Sequence, residues 1–436
     1  MKSAIDAAVV FLITFILFAV AWGETYTATD LGAIQPTAVI DGPVVFGNLN
    51  GAPVVWQDGQ VRALEHLGHG GQVNGANNRG DAVGWVWLPS QGTIRKVASF
   101  WYPDGRVILL PGSNETEAQA VNMDRIIAGS NLTESRALRW VPGQLEEYLP
   151  ASTRGRAVDG TGRVWGNRGN EPVAWDLDGT RHGFSNVGVI QAGPSGANNT
   201  IAIGWADRSP GVASAVYYAI PMAVTRLAIP DPSLNHPSCA ARSINNNHVA
   251  VGQCYTRSGT DPLAMMWPDA NTIINLNDVS NAPFVLEWSA GISEDGHIVG
   301  TSEGHGWLLT PIAPSVALLT NATPFGLGAT LRVSVERKGI GDLHVAVILP
   351  DGQTTLFLTN MDTLSYIVST IPRGPYPVTA GASLTHTWHA LNEPGVYHFI
   401  AALARPGSLL DGKIDTGDIV ALDWKAVQFV PHVASR

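Results

Sequence analysis

The stretch SINNNHVAVGQC, residues 243–254, decides the fold, because it joins two short apolar strands through a tight turn and recurs along the chain. Related versions are AVNMDRIIAG (120–129), AVDGTGRVWG (157–166) and GISEDGHIVG (291–300). Aligning these hairpins gives a series of strand-end glycines at spacings of 37 to 48 residues: Gly47, Gly84, Gly129, Gly166, Gly204, Gly252 and Gly300. A self-similar period of this length predicts a repeat architecture.

A turn signal precedes each glycine, and an aromatic residue follows it. The turn dipeptides are Asp41-Gly42, Arg79-Gly80, Met123-Asp124, Thr161-Gly162, Asn198-Asn199, Asn246-Asn247 and Asp295-Gly296. Such dipeptides accept the positive φ that hairpin turns need. The aromatic residues are Trp56, Trp101, Trp140, Trp175, Tyr217, Trp267 and Trp307. One large residue at the same position of each unit favours packing between units, rather than a ladder for ligand stacking.

Further short strands follow the aromatic residues, so each repeat holds about four strands in roughly 40 residues. Seven antiparallel units of this kind are typical of a β-propeller. The seventh unit stops at LLTPIAP (308–314) without a fourth strand, while YTATDLGAI (26–34) precedes the first unit. We therefore predict a seven-bladed β-propeller over residues 25–312, closed by strand 26–34, which would remove two free edges.

The rhythm changes after PIAPSVALLTNATPFG (311–326). Longer stretches with alternating polarity follow, including ATLRVSVERKG (329–339) and GVYHFIAALARPG (395–407). Strands at this spacing over about 120 residues are typical of an immunoglobulin-like sandwich. The predicted fold class is therefore all-β, a seven-bladed β-propeller followed by an immunoglobulin-like β-sandwich over residues 313–436.

The N-terminus has the features of an export signal. Residues 8–21, AVVFLITFILFAVA, form an apolar run after Lys2, and Ala19-Val20-Ala21 offers a cleavage site. We interpret residues 1–22 as a signal peptide. An uncleaved membrane anchor is the alternative, because Ala4 to Trp22 approaches the ~20 residues that span a bilayer. Both interpretations predict a secreted or cell-surface protein, with membrane contact only if the segment is retained.

The two cysteines, Cys239 and Cys254, flank the Asn246-Asn247 turn symmetrically. Antiparallel strands joined at that turn would bring their Cβ atoms to ~4.5–5.5 Å, close to disulfide range. Because exported proteins meet oxidising conditions, we predict a disulfide. A redox or metal pair is the alternative, and it lacks a supporting histidine or CxxC motif.

Charge and motifs restrict the chemistry. The formal net charge is −10 and no basic stripe is present, which argues against a nucleic-acid partner. No HExxH, GxSxG, P-loop or helix-opening GxGxxG motif occurs, so we assign no catalytic residue. Calcium is the one cofactor considered: Asp411, Asp415 and Asp418 cluster in DGKIDTGD (411–418), although the spacing matches no EF-hand. We expect a monomer.

The rhythm A-x-x-I-N-x-x-G-x-x-V-G, followed by A-x-x-W-x-x-G-x-x-x-x-L, resembles the extracellular HAF-repeat family. The resemblance is closest in ARSINNNHVAVGQ (241–253) and AMMWPDANTIINLND (264–278), and it covers roughly residues 26–312. The fourth and fifth units depart from the pattern. The resemblance implies secretion and a propeller-like fold, and it brings no catalytic residues to carry over.

Loops between the second and third strands of each unit vary in length and share one side of the predicted propeller, which we call the loop face. Variable loops on a rigid scaffold commonly carry binding, although loops that merely tolerate variation are equally consistent with the pattern. The candidate ligand-binding residues on this face are Trp87, Arg168, Trp205, Arg208, Tyr255, Arg257 and Glu303.

These features favour a non-catalytic binding or scaffold protein that presents the loop face to an extracellular glycan, peptide or matrix protein. A propeller-type glycan lyase or hydrolase is the first alternative. It requires two carboxylates, or a histidine–carboxylate pair, converging near the central axis or the loop face. A purely structural envelope protein is the second, and it predicts a featureless loop face with a large apolar patch elsewhere.

Overall fold

The computed structural model describes residues 14–15, 26–90, 93–112, 114–150, 152–184, 191–209, 212–220, 223–228, 238–255, 261–312, 315–320, 330–338, 342–351, 355–357, 383–387, 394–404 and 419–430. The chain divides into two compact units, one spanning Tyr26–Pro311 and the other containing Ile312–Arg436. Within the described residues, the structure is all-β apart from the short 3-10 helix Leu276–Asp278. No helix in this part of the chain is long and apolar enough to cross a membrane.

Four-stranded antiparallel sheets follow one another along Tyr26–Pro311, seven in all among the described residues. Numbered along the chain after β1 (Thr14–Phe15), the strands of this unit are β2 (Tyr26–Gly32), β3 (Gln35–Ile40), β4 (Val44–Leu49), β5 (Ala52–Gln57), β6 (Gln60–Ala63), β7 (Gly71–Ala76), β8 (Ala82–Ser90), β9 (Thr93–Trp101), β10 (Val107–Leu109), β11 (Thr116–Val121), β12 (Ile127–Asn131), β13 (Arg136–Trp140), β14 (Glu147–Tyr148), β15 (Arg154–Val158), β16 (Val164–Arg168), β17 (Glu171–Trp175), β18 (Arg181–Gly183), β19 (Gln191–Ala197), β20 (Ala202–Ser209), β21 (Val212–Ala219), β22 (Ala223–Arg226), β23 (Ser238–Ile244), β24 (Ala250–Tyr255), β25 (Pro262–Asp269), β26 (Thr272–Asn275), β27 (Trp288–Ile292), β28 (Ile298–Ser302) and β29 (His305–Pro311). Six sheets take consecutive strands, from β3–β6 to β23–β26, and the seventh has the order β27-β28-β29-β2.

The first strands of the sheets form a closed circle. Each of β3, β7, β11, β15, β19 and β23 contacts the first strand of the next sheet, and β27 of the seventh sheet contacts β3 of the first. The seventh sheet takes its outer strand from the beginning of the unit, because β2 pairs antiparallel with β29 from Tyr26↔Pro311 onward. The backbone N–H of Tyr26 also donates to the carbonyl of Val279 at 3.0 Å. The two ends of this unit are therefore joined within one sheet.

The turns between first and second strands correct part of the sequence analysis. Gly42, Gly80, Gly162 and Gly296 have positive φ as predicted, but Arg125 and His248 take this conformation in place of Met123-Asp124 and Asn246-Asn247. In the turn that contains Arg125, the N–H of Arg125 donates to the carbonyl of Asn122 at 3.1 Å. Positive φ therefore falls at the third loop residue, as in a hairpin built from a type I turn and a left-handed residue.

Asparagine side chains at these turns link neighbouring sheets. Asn122 is buried, and its Oδ1 accepts hydrogen bonds from the N–H groups of Asp124 and Ile126 at 3.0 and 2.9 Å. Its Nδ2 donates to the carbonyl of Asp159 in the next sheet at 2.9 Å. Equivalent donations run from Asn77 to Asn122, from Asn198 to Asn245, and from Asn245 to Ser293. The asparagine of the repeated hairpin thus closes its own turn and fastens the following sheet.

The junction between the seventh and first sheets uses carboxylates instead. The N–H of Asp295 donates to Asp41 Oδ1 at 3.0 Å, and the N–H of Gly42 donates to Asp295 Oδ2 at 3.1 Å. Burial raises the pKa of Asp295, but hydrogen bonds from Ser293, His297 and Gly42 outweigh it and bring the pKa to about 2. The ionised carboxylate therefore supports the contact that closes the circle.

The aromatic series packs between sheets, as the sequence predicts. Trp101, Trp140, Trp175, Trp267 and Trp307 are at most 3% exposed, whereas Trp56 and Tyr217 are half-buried. Several indoles donate Nε1 to a carbonyl at the end of the preceding sheet: Trp140 to Pro111 at 2.9 Å, Trp175 to Pro150 at 3.1 Å, and Trp267 to Ala228 at 2.8 Å. Each of these tryptophans fills the gap between two sheets and holds the outer strand of its neighbour.

The two cysteines lie in the sixth sheet. Cys239 of β23 is the register partner of Cys254 in β24, and a disulfide joins them. Both residues are buried against Trp267 and Met265. The symmetric spacing about the turn thus places the pair where the sequence analysis predicted a disulfide.

The second unit contains two further four-stranded antiparallel sheets, with the orders β1-β34-β31-β30 and β33-β32-β35-β36. Their strands are β30 (Ser315–Thr320), β31 (Thr330–Lys338), β32 (Asp342–Ile348), β33 (Thr355–Phe357), β34 (Ser383–Thr387), β35 (Gly395–Ala404) and β36 (Ile419–Phe429). The strand β30 lies in the stretch that the sequence analysis treated only as a break in rhythm. It contacts both β35 and β36, so the two sheets of this unit face each other.

Candidate functional site

A β-bulge interrupts the first strand of every sheet in Tyr26–Pro311. In each case the register with the second strand skips one residue, and the skipped residues are Thr37, Asn74, Gln119, Arg156, Ser195, Arg242 and Ala290. A bulge leaves its extra residue without a ladder partner and redirects the side chain. All seven of these residues line one cavity inside the circle of first strands.

Each strand-end glycine is the register partner of the residue immediately before a bulge. Gly252 is the register partner of Ala241, the residue immediately before the bulge at Arg242. A Cβ on Gly252 would lie 2.1 Å from the carbonyl oxygen of Ala240 and 2.9 Å from the Cα of Ala241. The same obstruction by the first strand occurs at Gly84 and Gly166. Only glycine therefore lets the second strand approach the bulged strand this closely.

We call the space inside the circle the axial cavity. Its volume is about 450 Å³, within the usual ~300–1,000 Å³ range of small-molecule sites. Beyond the bulge residues, the polar side chains at the turn end of its wall are Asn77, Asn78, Asn122, Asn198, Asn199, Asn246, Ser293 and Glu294. Its wall is therefore rich in amide and hydroxyl groups.

Guanidinium groups dominate the electrostatics of the axial cavity. Arg156 and Arg242 project from the fourth and sixth sheets, and Arg154 lies two residues before the first of them. Their side chains are accessible to water but partly enclosed by protein, and this burial lowers the pKa of both Arg156 and Arg242. Repulsion from Arg154 and Arg242 lowers the pKa of Arg156 further, while Glu117 partly offsets it. Arginine remains charged, so the lowered pKa reflects positive groups lying close together and does not mean that the charge is lost.

These arginines lack carboxylate partners, unlike others in the same unit. Within the described residues, no Asp or Glu forms an ion pair with Arg154, Arg156 or Arg242; the bond that the structure shows for them runs from Arg242 Nε to Gln253 Oε1 at 3.3 Å. By contrast, Arg125 binds the fully buried Asp81 through Nε and Nη2 at 2.9 and 3.0 Å.

The axial cavity does not bring acid groups together. Among its described lining residues, Glu294 is the one acidic side chain and histidine is absent. Its carboxylate accepts hydrogen bonds from the N–H and Nδ2 of Asn246 at 2.8 and 2.7 Å. Burial raises the pKa of Glu294, and the nearby Asp41 adds to the effect. In the described part of the chain, no group of three or more His, Cys, Asp or Glu side chains is arranged to hold a metal.

The predicted loop-face residues are spread over several sheets. Trp87 is half-buried in β8 and meets Trp85 edge to face, with ring centroids 4.9 Å apart and Lys96 Nζ 4.4 Å from the Trp85 ring centre. Tyr255 ends β24 and meets the ring of Trp288 edge to face at 5.5 Å. Neither contact joins two members of the predicted set.

The remaining predicted residues are also dispersed. Arg168 is exposed at the end of β16, Trp205 is half-buried in β20, and Glu303 is exposed in the turn before β29. Arg208 belongs to β20 but its side chain lies outside the described part, as do Arg257 and the calcium candidates Asp411, Asp415 and Asp418. The described members of the set share no hydrogen bond, ion pair or ring contact with one another.

Sequence reasoning missed the axial arginines. A usable signal existed: in six of the seven units the bulge residue stands ten positions before the strand-end glycine, as Arg156 does before Gly166 and Arg242 before Gly252. The alignment on glycines was available, but period-two alternation gave no reason to assign a separate orientation to this position.

The comparisons with known proteins are sparse. No family model matches the sequence, and no curated protein matches it. Among solved structures, the chain is similar to selenomethionine-substituted virginiamycin B lyase from Staphylococcus aureus, with a TM-score of 0.46 and 13% sequence identity. That similarity covers 66% of this chain and 100% of the other.

Proposed function

We propose that Tyr26–Pro311 is a seven-bladed β-propeller that binds a small ligand in the axial cavity without transforming it, and that the protein works outside the cell or at its surface. The observation that carries the proposal is the ring of bulges. Every sheet contributes to the same cavity one residue that has no ladder partner, and bulges are known to re-aim side chains beside functional sites.

The propeller assignment rests on the strand order and on the circle of first strands. Consecutive four-stranded sheets, with the outer strand of the last supplied by β2, match the architecture of a closed propeller. The resemblance of the hairpins to HAF repeats points to the same architecture. The second unit, with two facing antiparallel sheets, fits an immunoglobulin-like accessory module.

Action outside the cell is supported by the disulfide between Cys239 and Cys254, since such bonds persist in oxidising compartments. The apolar residues 8–21 fit the same interpretation as a signal segment or anchor. Cleavage of residues 1–22 remains part of this proposal.

Binding is favoured over catalysis by the composition of the cavity wall. A glycan lyase or hydrolase needs paired carboxylates or a histidine–carboxylate pair at the bond that is cleaved. Among the described lining residues, Glu294 stands alone as an acid, and its carboxylate is already engaged by Asn246. The side chains of Arg156, Arg242, Gln119 and Ser195 remain, and guanidinium, amide and hydroxyl groups are groups that recognise a ligand.

The test is a substitution that fills the axial cavity. Ala290 is the smallest bulge residue, and Ala290→Trp would place an indole among the other six. Ala63→Trp makes the same change on the outer strand β6, where the side chain is exposed, and serves as the matched control. The full chain and both variants would be screened on a glycan array, with hits measured by titration calorimetry; Ser195→Trp replaces Ala290→Trp if the latter unfolds.

We expect ligands of the parent protein to be lost in Ala290→Trp and retained in Ala63→Trp. Binding that survives Ala290→Trp and disappears in Trp87→Ala and Tyr255→Ala would overturn the axial proposal and place the site on the loop face. Turnover of a bound glycan would overturn the non-catalytic proposal. No binding to any glycan would exclude a carbohydrate as the small ligand.

A further inference from the structure

The charge of the axial cavity is opposite to the charge of the protein. The chain carries a formal net charge of −10, yet the described cavity wall holds Arg156 and Arg242 against the single acid Glu294. Outside the lining residues, Arg154 adds a third positive group within interaction range of Arg156, and Glu117 adds a negative one that offsets it in part. Positive groups gathered in one cavity raise the local concentration of anions, so this arrangement favours an anionic ligand.

Two arginines outside the cavity, Arg62 and Arg139, have structural roles. Arg62 donates to the carbonyls of Pro103 and Asp104 at 3.1 and 3.0 Å. Arg139 is 1% exposed and donates to Glu147 and to the carbonyl of Asp176, at 2.7 and 2.8 Å. These guanidinium groups are consumed by internal partners. The axial guanidinium groups keep most of their donors available for another molecule.

The position of the arginines around the circle defines a subsite. Ser195 is the bulge residue of the fifth sheet, between Arg156 of the fourth and Arg242 of the sixth. An anionic group placed against Ser195 would therefore meet one guanidinium from each side. Charge-assisted hydrogen bonds to arginine are the strong ones, and its planar fork matches the oxygens of carboxylates, sulfates and phosphates.

The rest of the wall identifies what carries the anionic group. Gln119 lies next to Arg156, and Thr37, Asn74 and Ala290 complete the circle. The turn end of the cavity is lined by residues such as Asn199 and Asn246. Among the described lining residues no side chain is aromatic. Such a surface is more polar than apolar, which suits a hydroxylated molecule.

We propose that the ligand of the axial cavity is an acidic sugar or the acidic end of a glycan, whose anionic group is held by Arg156 and Arg242. This inference rests on the proposed axial binding function and adds the chemical class of the ligand. The shared chemistry is an anionic group on a polyhydroxylated ring. Its source, a carboxylate or a sulfate ester, is decided by the arms of the experiment.

The experiment is titration calorimetry of the full chain with four probes: glucuronate, glucose 6-sulfate, neutral glucose and inorganic sulfate. Arg156→Gln and Arg242→Gln remove one guanidinium each. Arg181→Gln is the matched control, because Arg181 is exposed on the outermost strand β18 of the same sheet as Arg156. Circular dichroism checks that each variant is folded.

We expect glucuronate or glucose 6-sulfate to bind more tightly than glucose, with affinity falling as salt rises. Each axial variant should lose roughly 10- to 100-fold in affinity, the loss expected for one charged hydrogen bond, while Arg181→Gln is unchanged. If glucuronate binds and glucose 6-sulfate does not, the source is a carboxylate; the reverse result assigns a sulfate ester. Binding of inorganic sulfate alone would reject the sugar and leave a simple anion site.

The two proposals fail in different ways. If glucose binds as tightly as glucuronate and Ala290→Trp abolishes that binding, the anionic inference is overturned and the axial function is kept. Acidic sugars that bind equally to Ala290→Trp overturn the axial function itself. Axial variants that match the parent protein in affinity for an acidic sugar overturn the assignment to Arg156 and Arg242.

Discussion

Replacing Asn122 by alanine should loosen the circle of sheets at one junction. The side chain accepts from the N–H groups of Asp124 and Ile126 and donates to the carbonyl of Asp159 in the next sheet, at 2.9 to 3.0 Å. The substitution removes three hydrogen bonds and leaves the backbone groups of the buried residues Ile126 and Asp159 without these partners.

The expected cost follows from those contacts. A net ~1 kcal/mol for each of the three hydrogen bonds gives about 3 kcal/mol in total. No discount is applied, because the buried partners left unpaired keep their full desolvation penalty. For a unit of this size, that loss corresponds to a fall in melting temperature of about 6 °C. Thermal unfolding followed by tryptophan fluorescence measures it, since the buried indoles pack between sheets.

The neighbouring asparagine supplies the control. Asn78 is exposed, and it exchanges hydrogen bonds with Asp41 at 3.0 and 3.3 Å. Water can replace those contacts, so Asn78→Ala should cost under ~1 kcal/mol. A melting temperature for Asn122→Ala equal to that of Asn78→Ala would refute the reasoning. Asn245→Ala, at a separate junction, should add its own loss to that of Asn122→Ala in the double variant.

Gly252→Ala should destabilise the unit by more than ~2 kcal/mol in urea unfolding, because the added Cβ meets backbone that cannot move aside. Gly143 has φ +77° and open space around it, so Gly143→Ala should lower the free energy of unfolding by only ~1 kcal/mol, the cost of a left-handed alanine. Serine at both Cys239 and Cys254 should lower the free energy of unfolding by roughly 3 kcal/mol, and the parent protein should fall to the same value in reductant. The pKa of Asp295 lies at about 2, below its ordinary 3.8. The stabilisation that its ionised carboxylate gives the folded state is therefore complete above pH 4 and is lost as the pH falls toward 2. The Asp295→Asn variant should therefore show a weaker loss of melting temperature between pH 4 and pH 2; a parallel acid profile would contradict this.

The all-β class and the hairpins were predictable because their determinants are local. Turn residues and strand-end glycines mark each hairpin, and the symmetric placement of Cys239 and Cys254 about a turn fixes their pairing. Packing of residues such as Trp140 between sheets also followed, since a large aromatic residue at a repeated position must be buried somewhere.

The axial site was not predictable by the same reasoning, because a bulge breaks the alternation on which strand analysis depends. One added residue in β15 gives the side chain of Arg156 a direction that period two does not assign. The turn position of Arg125 was missed for a different reason: arginine is not a residue from which positive φ is expected. At His248, the preceding Asn246-Asn247 pair is the stronger turn signal, and it drew the prediction to the wrong residues.

The departure of the fourth unit from the repeat has a physical counterpart. AVDGTG carries Asp159 where the second, third, fifth and sixth units carry asparagine, and a carboxylate has no N–H to donate to the following sheet. Instead, Asp159 accepts from the indole Nε1 of Trp165 at 3.1 Å and from Arg163. A single substitution in the motif thus exchanges a link between sheets for a link within one.

The pairing of β2 with β29 sets an order of events during synthesis. The strand Tyr26–Gly32 leaves the ribosome first, but its partner His305–Pro311 is made last in this unit. At ~5–20 residues per second, the intervening chain of roughly 280 residues takes on the order of 15 to 60 s to make. Throughout that interval the early strand is an unpaired edge, able to add to other chains. Nascent chains shorter than Pro311 should therefore associate with chaperones or with one another, and this tendency should end once the last strand has emerged.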